Sequence, residues 1–275
     1  MCRVLDVSKS GYYAWKNRIP STQRIENDAL LIEIRNMFLL NKKEYGSPRI
    51  WRALSICGIV CCENRVAHLM NIGDMRAIHK NKYRATTDSK HTLAVWPNLL
   101  NRNFIVSEPN KIYVSDITYL WTYQGWLYIA VVIDLFSRSV VGLSMSEHID
   151  AILTQNALRQ AVIRRNPGSG LIVHSDRGSQ YASNDFKTLL ENNNFVGSMS
   201  KKGDCWDNAV AESFFHTLKV ECIRGIIFKT REEAKRTIFA WVYARYNRTR
   251  MHSTLDYVSP FEYERRYSLT FNNVH

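Results

Sequence analysis

The spacing of apolar residues changes part-way along the chain, and the change predicts a helical region followed by a region rich in strands. Apolar residues recur at helical spacing through residues 22–40. The stretch 47–73 predicts two shorter helices on either side of a turn at Gly58, with Ser47 as the N-cap of the first. Further along, short β-branched and aromatic runs predict strands. The chain therefore combines a small helical region with a larger α/β region.

The two helices around Gly58 fit a helix-turn-helix, a motif whose second helix can enter a DNA groove. The same pattern also fits a plain αα-hairpin that only packs against its neighbours. Residues 1–19 also fit two interpretations. They predict the end of one helix, a turn at Asp6–Ser8 and a second helix that carries Tyr12 and Trp15. This segment fits either the latter part of a helix-turn-helix or a separate amphipathic helix.

The strand region begins with three strands whose short connections require them to run antiparallel. Two further strands each follow a predicted helix, and a helical crossover places a strand parallel to an earlier one. The order is βββαβαβα, with a mixed five-stranded sheet. The predicted elements are strands over Ile112–Leu120, Trp126–Asp134 and Ser139–Met145, a helix over Asp150–Arg165, a strand over Leu171–Ser175, a helix from Ser183 and a strand over Phe195–Met199.

A polar loop after the last strand leads into a predicted amphipathic helix with an unusual polar face. At 100° per residue, His216 lies about 40° from Glu212 and Lys219 lies about −20° from it, so an acid, an imidazole and an amine share one side. Asn208 falls on the same side. The apolar residues of the opposite side are Val210, Phe214 and Leu218. Taken alone, the pattern also fits an ordinary solvated face with an i, i+7 charge pair.

Two carboxylates upstream favour a functional interpretation of that helix. Asp116 and Asp176 each follow a short β-branched run, which places each at or near the carboxyl end of a strand, where α/β sheets bind ligands. Three carboxylates brought together with Glu212 would repel one another unless a divalent cation lay among them. Hard oxygen ligands suit Mg²⁺ or Mn²⁺. Two such ions about 4 Å apart support in-line displacement at a phosphodiester.

Two other aspartates have simpler explanations. Asp134 ends the second predicted strand beside Arg138, and a turn cap or an ion pair accounts for it. Asp207 precedes the helix of Glu212 and is placed to cap its N-terminus. Neither belongs to the predicted catalytic set.

The charge balance points to nucleic acid. Lys and Arg outnumber Asp and Glu by 37 to 25, a net charge of +12, and a soluble protein this basic usually binds a polyanion. Charge alone does not separate DNA from RNA or from an acidic membrane. No segment reaches the roughly 20 apolar residues that span a bilayer, and the N-terminus lacks a signal-peptide hydrophobic region, so we expect a cytoplasmic protein. The six cysteines are scattered without C-x-x-C spacing, which argues against a disulfide framework and a zinc site.

The C-terminal segment predicts a helix and a basic tail. Thr230 and Glu233 form a capping box that opens a helix through about Tyr246. The following stretch, "RYNRTRMHSTLDYVSP", interleaves basic residues with an aromatic, which suits phosphate contacts but also fits a basic solvated surface. The arginines concerned are Arg245, Arg248 and Arg250.

With these motifs in view, the chain resembles a known family. The set resembles the DDE motif of retroviral-integrase-like transposases: its members are Asp116, Asp176 and Glu212. Between Asp176 and Glu212 there are 35 residues, and a basic residue follows Glu212 seven positions on. More narrowly, the chain resembles OrfB, the catalytic reading frame of the IS-three family of bacterial insertion sequences. The motifs that carry the resemblance are "DITYL", "GWLYIAVVIDLFSRSVVG", "HSDRGSQYAS", "KGDCWDNAVAESFFHTLK", "YNRTRMHSTL" and "SPFEYE". Tyr113 and Asp256 depart from the family, which usually has Trp and Gly there, but neither touches the triad.

The resemblance implies a fold, an activity and partners. The strand region should be RNase H-like, and Asp116, Asp176 and Glu212 should bind two Mg²⁺ ions, or Mn²⁺ in their place, to cleave and transfer DNA strands. The protein should act on double-stranded DNA at the nucleoid as a homo-oligomer, beside or fused to an OrfA product. The residues predicted to contact DNA are Lys219, His216, Arg177, Lys201, Lys202, Arg245, Arg248 and Arg250.

We predict four regions on this basis. Residues 1–75 form a helical, helix-turn-helix-like DNA-binding region and 76–100 a basic linker. Residues 101–228 form the RNase H-like integrase core, and 229–275 form a helix and basic tail packed on the core or extending it. Two other functions also fit the sequence: a non-catalytic DNA-binding protein descended from a transposase, and a host nuclease that cuts RNA in hybrids.

Overall fold

The computed structural model describes residues 2, 4–78, 95–201 and 205–272, and the chain divides into two units, residues 1–78 and 79–275. Most of the predicted basic linker, over 79–94, lies outside the described residues. The boundaries of the four predicted regions stay predictions.

The described residues of the first unit form four helices, and two of them begin at a serine cap. The Ser8 side chain accepts a hydrogen bond from the Gly11 N–H at the start of α1, and Ser21 caps α2 through the Arg24 N–H. At α3 the predicted Ser47 cap is wrong: the helix begins at Ser47 itself, with Gly46 as an N-cap that supplies no side chain. The helices are α1 (Lys9–Lys16), α2 (Thr22–Leu40), α3 (Ser47–Ile56) and α4 (Glu63–Ile72).

One small core holds α2, α3 and α4 together. Each buries apolar residues at helical spacing, and α1 buries none. The turn between α3 and α4 uses Gly58 at φ +80°, in the left-handed region where a side chain would be strained. The fully buried residues of this core include Ile34, Ile50, Leu54 and Val66. The predicted pair of short helices around Gly58 is confirmed.

The second unit is built on a five-stranded sheet in the order β3-β2-β1-β4-β5. The β1–β2 and β2–β3 pairs are antiparallel, whereas β1–β4 and β4–β5 are parallel. The predicted RNase H-like class, a mixed sheet with flanking helices after a small helical domain, is confirmed. The elements are β1 (Ile112–Thr122), β2 (Gly125–Asp134), β3 (Val140–Ser146), α5 (Ala151–Arg165), β4 (Ile172–Ser175), α6 (Ser179–Ala182), α7 (Asn184–Asn192) and β5 (Val196–Met199).

Helices cover the sheet on both faces because successive strand residues point to opposite sides. One face packs its apolar residues against α5 and α7. Gly142 in β3 lets α5 approach closely, since a Cβ there would lie 2.1 Å from the Ala157 carbonyl oxygen. The other face packs against α8 (Ala209–Leu218) and α9 (Arg231–Ala240), through residues that include Phe214, Leu218 and Ile238.

Each of α8 and α9 runs on into a π-helical turn, over Lys219–Ile223 and Trp241–Tyr246 respectively. At the start of α9, the predicted capping box is present in a shifted form. Thr230 accepts from the Glu233 N–H at 3.0 Å, and Glu233 accepts from the Lys229 N–H at 2.9 Å. The last helix, α10 (Pro260–Asn272), is held to α5 by Glu264, which accepts two hydrogen bonds from Arg165 at 2.6 and 2.8 Å.

Residues 95–102 pack against the sheet and form a strap. The Trp96 ring lies over Gly197, where a Cβ would sit 2.4 Å from the indole. The Leu99 N–H donates to the Ser198 hydroxyl at 3.0 Å, and Leu100 is buried. This segment is thus part of the second unit's packing.

Candidate active site

Two carboxylates lie side by side where β1 leaves β4. The last paired residues of these parallel strands are Ser115 and Ser175, so Asp116 and Asp176 follow at the same level of the sheet. Oδ1 of Asp116 accepts a hydrogen bond from the Ile117 N–H at 2.7 Å, and Oδ1 of Asp176 accepts one from the Gly178 N–H at 2.9 Å. The strand pairing therefore brings together two residues 60 positions apart in the sequence.

The electrostatics of Asp116 reflect this crowding. Burial and then the negative charge of Asp176 raise the pKa of Asp116 well above its ordinary value. Glu212 adds to the rise, while the hydrogen bond from Ile117 and the positive charge of Lys219 oppose it. A carboxyl in this position tends to hold a proton unless a cation compensates its neighbours.

Glu212 approaches the pair from α8. The helix buries Ala211, Phe214 and Leu218 against the sheet and leaves Glu212 on its exposed side. His216 and Lys219 are half-buried, as expected from the helical arc that they share with Glu212. The predicted polar face is therefore present, with an apolar back that fixes it to the core.

These residues suit a hard divalent cation, although they do not yet enclose one. Within the described ranges, no three His, Cys, Asp or Glu side chains lie close enough together to hold a metal ion. Asp116 and Asp176 are fixed by the sheet, and Glu212 lies on the solvent side of α8, near enough for its charge to act on Asp116. Carboxylate oxygens whose mutual repulsion raises a pKa are a donor set that Mg²⁺ or Mn²⁺ would stabilise.

Lys219 lies at the first position of the π-helical turn and faces the carboxylates. Burial lowers the pKa of Lys219 to about 8, and Asp116 works against that shift. Its Nζ also lies 5.7 Å from the centre of the Tyr119 ring. A lysine held between an acid and an aromatic ring is well placed to meet a phosphate.

Asp207 does not cap α8, so that prediction is wrong. The helix begins after Asn208, and no side chain caps it. Asp207 is buried, and its Oδ2 accepts from the Asn98 side chain and from the Lys201 N–H, both at 2.8 Å. Its Oδ1 lies 3.3 Å from Nε of Arg102. These contacts tie the strap to the loop before α8, because a buried carboxylate needs partners.

Asn208 lies on the expected side of the helix start but is buried. Neither atom of its amide has a hydrogen-bond partner among the residues that the structure describes. Such a group is costly in a folded protein. The sequence gives no signal for this feature beyond the helical arc that Asn208 shares with Glu212.

Asp134 behaves as the predicted turn cap. Its Oδ2 accepts from the Asn110 N–H at 2.9 Å and its Oδ1 from the Phe136 N–H at 3.0 Å. It is fully buried, and burial raises its pKa to about 6 despite these two bonds. A structural role explains Asp134 completely.

The predicted DNA contacts divide into several groups. Arg250 is a correction: it is buried with Glu221, to which it donates from Nε and Nη2 at 2.8 and 2.7 Å, so it cannot reach a phosphate. Arg248 is exposed and lies over the Phe261 ring, and Arg245 is half-buried. Arg177 donates from Nε to the Ser200 carbonyl at 2.7 Å. Lys201 is exposed, and Lys202 lies outside the described residues.

Beyond Asp116, the β1–β2 hairpin carries a cluster of aromatic rings. Trp121 and Trp126 lie opposite each other with ring centres 4.9 Å apart, and Tyr119 lies 5.0 Å from Trp126. Tyr128 is 6.2 Å from Tyr119. The alternation of Tyr119 and Trp121, followed across the turn by that of Trp126 and Tyr128, is the sequence signal for this cluster.

Comparisons with known proteins agree with this arrangement. Residues 106–205 and 212–267 match the Integrase core domain family, and residues 26–83 match the HTH-like domain family. The chain is 42% identical over 271 residues to Transposase InsF for insertion sequence IS3A from Escherichia coli (strain K12), covering 97% of this chain and 93% of that one. It is 40% identical over 267 residues to the Insertion element IS600 uncharacterized 31 kDa protein from Shigella sonnei, covering 97% and 98%.

Among solved structures, the chain is similar to the HTLV-2 integrase catalytic core domain in complex with magnesium (trimeric form). The identity is 16% and the TM-score 0.43, over 56% of this chain and 95% of that chain.

The matched core makes this chain an integrase-type polynucleotidyl transferase. The identity to its relatives over nearly the whole length is more specific: the chain belongs to the IS-three (IS3) family of insertion-sequence transposases. This confirms the family expected from the motifs. An integrase core implies the use of a divalent metal, and an HTH-like domain in a transposase implies DNA binding. No helix in the described part of the chain is long and apolar enough to cross a membrane.

Proposed function

We propose that this chain cleaves and transfers DNA strands to move an insertion sequence, with Asp116, Asp176 and Glu212 as its catalytic residues. The observation that carries the proposal is the crowding of Asp116 and Asp176 at the level where β1 leaves β4, close enough to Glu212 for its charge to act on Asp116. Carboxylates arranged in this way cost stability unless a ligand uses them.

The three carboxylates would hold two Mg²⁺ ions, or Mn²⁺ in their place. Bound there, the metal pair supplies activation of the attacking hydroxyl and stabilisation of the leaving oxygen in an in-line displacement. The protein contributes position: Asp116 and Asp176 are fixed by strand pairing, and Glu212 is fixed by the apolar back of α8. Because burial and Asp176 raise the pKa of Asp116, binding of a cation by these carboxylates would be linked to the loss of a proton.

Basic residues around the carboxylates would bind the DNA backbone. Lys219 and His216 share the arc of Glu212 and would contact phosphates next to the scissile bond. Outside that arc, exposed or half-buried cations would hold the duplex by charge. These are Arg177, Lys201, Arg245 and Arg248.

We further infer the setting in which the protein works. It acts on double-stranded insertion-sequence ends and target DNA, as a homo-oligomer, beside or fused to an OrfA product. Its family and its net charge of +12 support a location at the nucleoid in the cytoplasm.

A strand-cleavage and strand-transfer assay tests the proposal. The substrate is a labelled duplex that carries the terminal repeat flanking the gene, supplied with Mg²⁺, Mn²⁺ or EDTA. We expect cleavage and joining with either metal, none with EDTA, and none with Glu212→Gln, which keeps the size of the side chain and removes its charge.

Two outcomes would contradict it. Binding of the terminal repeat with no cleavage under any metal would indicate a non-catalytic DNA-binding protein. Cleavage of an RNA–DNA hybrid in preference to the terminal duplex would indicate a nuclease of the RNase H type.

A further inference from the structure

The aromatic cluster of the β1–β2 hairpin is a rigid surface open to solvent. Trp121 is 51% exposed and Trp126 is 44% exposed, although their rings contact each other across the strands. With Tyr119 and Tyr128 they form two cross-strand pairs on one face, linked by the Tyr119–Trp126 contact. We call these four residues the aromatic platform. Exposed indoles in contact on a monomer usually indicate a binding surface.

The platform is held in place from behind. The Tyr123 N–H donates to the Phe228 carbonyl at 3.1 Å, which fixes the hairpin tip to the segment before α9. Arg231 donates from its backbone N–H to the Gln124 side chain at 2.9 Å and from Nε to the Trp126 carbonyl at 3.1 Å. Its Nη1 also contacts Glu147 at 2.6 Å. A surface fixed by this many bonds loses little conformational entropy when a ligand binds.

The platform is linked to the candidate active site at one edge of β1. The rings lie on the same strand as Asp116 but on the opposite face of the sheet, since Tyr119 and Trp121 follow it by odd numbers of residues. On the edge of β1 away from β2, pairing with β4 ends at Ser115, and the next bridge in the described residues is the one from Thr122 to Phe228. Lys219 bridges the two regions, since its charge acts on Asp116 and its Nζ lies over the Tyr119 ring. A strand leaving the carboxylates could therefore pass a cation and then reach the rings.

The distances fit a few nucleotides. At about 3.3 Å per strand residue, Tyr119 lies about 10 Å and Trp121 about 17 Å along β1 from Asp116. Measured along β1, this is the length of three to five stacked nucleotides at about 3.4 Å each, for a strand that passes the edge of β1 at Lys219. Base–aromatic stacking suits such a surface because every base has a π-face, so no particular sequence is required.

We propose that the aromatic platform binds unpaired bases of the DNA end, about three to five nucleotides from the phosphate that reacts at Asp116. The inference rests on the proposed function, because it assumes that the DNA end lies at the carboxylates. The platform stacks these bases after the terminal base pairs separate, while Lys219 holds the backbone between them and the active site.

Binding measurements with two DNAs test the proposal. One is a terminal-repeat duplex with its last five pairs mismatched, and the other is the same duplex fully paired, both titrated in EDTA so that no cleavage occurs. We expect wild type to bind the mismatched end more tightly. The double substitution Trp121→Ala with Trp126→Ala should weaken binding of the mismatched end by about tenfold and leave the paired duplex nearly unchanged.

Matched controls separate stacking from folding. Trp121→Tyr with Trp126→Tyr keeps aromatic faces and should retain most of the preference. Phe239→Ala removes an aromatic residue of similar exposure, 49%, on α9 and should change neither affinity. Wild type should also lose its preference when the third to fifth nucleotides are made abasic, a measurement that needs no variant.

Two results would contradict the proposal that the aromatic platform binds unpaired bases. One is an equal effect of the alanine pair on both DNAs, or no effect on either. The other is an unchanged DNA preference with a changed sedimentation coefficient, which would show that the surface joins two copies of the chain. Since no arm requires cleavage, a protein that fails the strand-transfer assay can still pass or fail this one.

Discussion

Two sets of carboxylates near the sheet have opposite surroundings. Asp134 and Glu221 are buried with partners built into the fold: two backbone N–H groups for Asp134, and Nε and Nη2 of Arg250 for Glu221. Asp116 and Asp176 each accept one backbone N–H, and after burial the negative charges of Asp176 and Glu212 raise the pKa of Asp116 further. The first set is held by contacts within the fold, whereas the second set brings negative charges together where β1 leaves β4. Burial alone does not identify a site, since Asp134 is more buried than any of the three.

The largest expected effect separates the two sets by activity. Asp116→Asn and Asp176→Asn should each lower metal-dependent strand cleavage on the order of a thousandfold, because each removes a proposed metal ligand. Binding to duplex DNA should change little, since no basic residue is lost. Asp134→Asn is the matched control and should cleave within about threefold of wild type. Single-turnover cleavage of the terminal repeat measures the activity of all three variants. A comparable loss of activity in all three would contradict the difference between the two sets of carboxylates.

Next in size is the effect of removing a built-in partner. Arg250→Met leaves Glu221 buried without its cation and should lower the free energy of unfolding by about 3–5 kcal/mol. Arg248→Met, at an exposed position two residues away, should change it by at most about 0.5 kcal/mol. Chemical denaturation measures both.

A second substitution sharpens this test. Combining Arg250→Met with Glu221→Leu replaces the whole pair by apolar side chains and should restore much of the lost stability. A double variant no more stable than Arg250→Met alone would show that the pair is not the cause.

The pH dependence of stability tests the first set directly. The pKa of Asp134 is raised in the fold to about 6, so its contribution to stability is fully present below its unfolded value and is lost as pH rises through 6. At 1.36 kcal/mol per unit, the loss between about pH 4 and pH 6 is roughly 3 kcal/mol. The asparagine of Asp134→Asn cannot titrate. The stability of this variant relative to wild type should therefore rise over that pH interval. Denaturation of both proteins from pH 4 to 7 measures the difference, and parallel curves would contradict it.

The smallest expected effect concerns the second set and its ligand. Mn²⁺ at ten times its dissociation constant should stabilise wild type by about 1.4 kcal/mol. Mn²⁺ should stabilise Asp134→Asn by the same amount and Asp176→Asn by much less. Without metal, Asp176→Asn should be as stable as wild type or slightly more so, because one repelling charge is gone. Thermal melts in EDTA and Mn²⁺ decide this, and an equal shift in all three proteins would place the ion elsewhere.

Local signals in the sequence predicted much of the fold. Helix α2 was predicted over 22–40, where the structure has it, and the predicted strand ends differ from the observed ones by at most two residues. Asp176 could be placed at a strand end because the β-branched run stops beside it. The same prediction is wrong for Asp116, which lies within β1 and is followed by six more residues of that strand. Periodicity and cap chemistry act over a few residues, so a single sequence is enough to reveal them.

What could not be predicted depends on contacts between distant residues or on unusual helix geometry. Glu221 and Arg250 are 29 positions apart, and nothing in "YNRTRMHSTL" distinguishes the buried Arg250 from the exposed Arg248. The π-helical turn at Lys219–Ile223 has no signature in a 3.6-residue pattern. Asp207 matched the rule for a helix cap, but the strap gave it better partners.

The strap also determines how the catalytic unit can be separated from the rest of the chain. A fragment that starts at residue 101, where the motifs suggest the core begins, would strip the Trp96 ring from Gly197 and the Asn98 amide from the buried Asp207. It would leave Asp207 with Arg102 and the Lys201 N–H but without the Asn98 amide. A fragment that starts before residue 95 keeps both contacts. We therefore expect a stable catalytic fragment of this transposase to begin before residue 95, further toward the N-terminus than its motifs suggest.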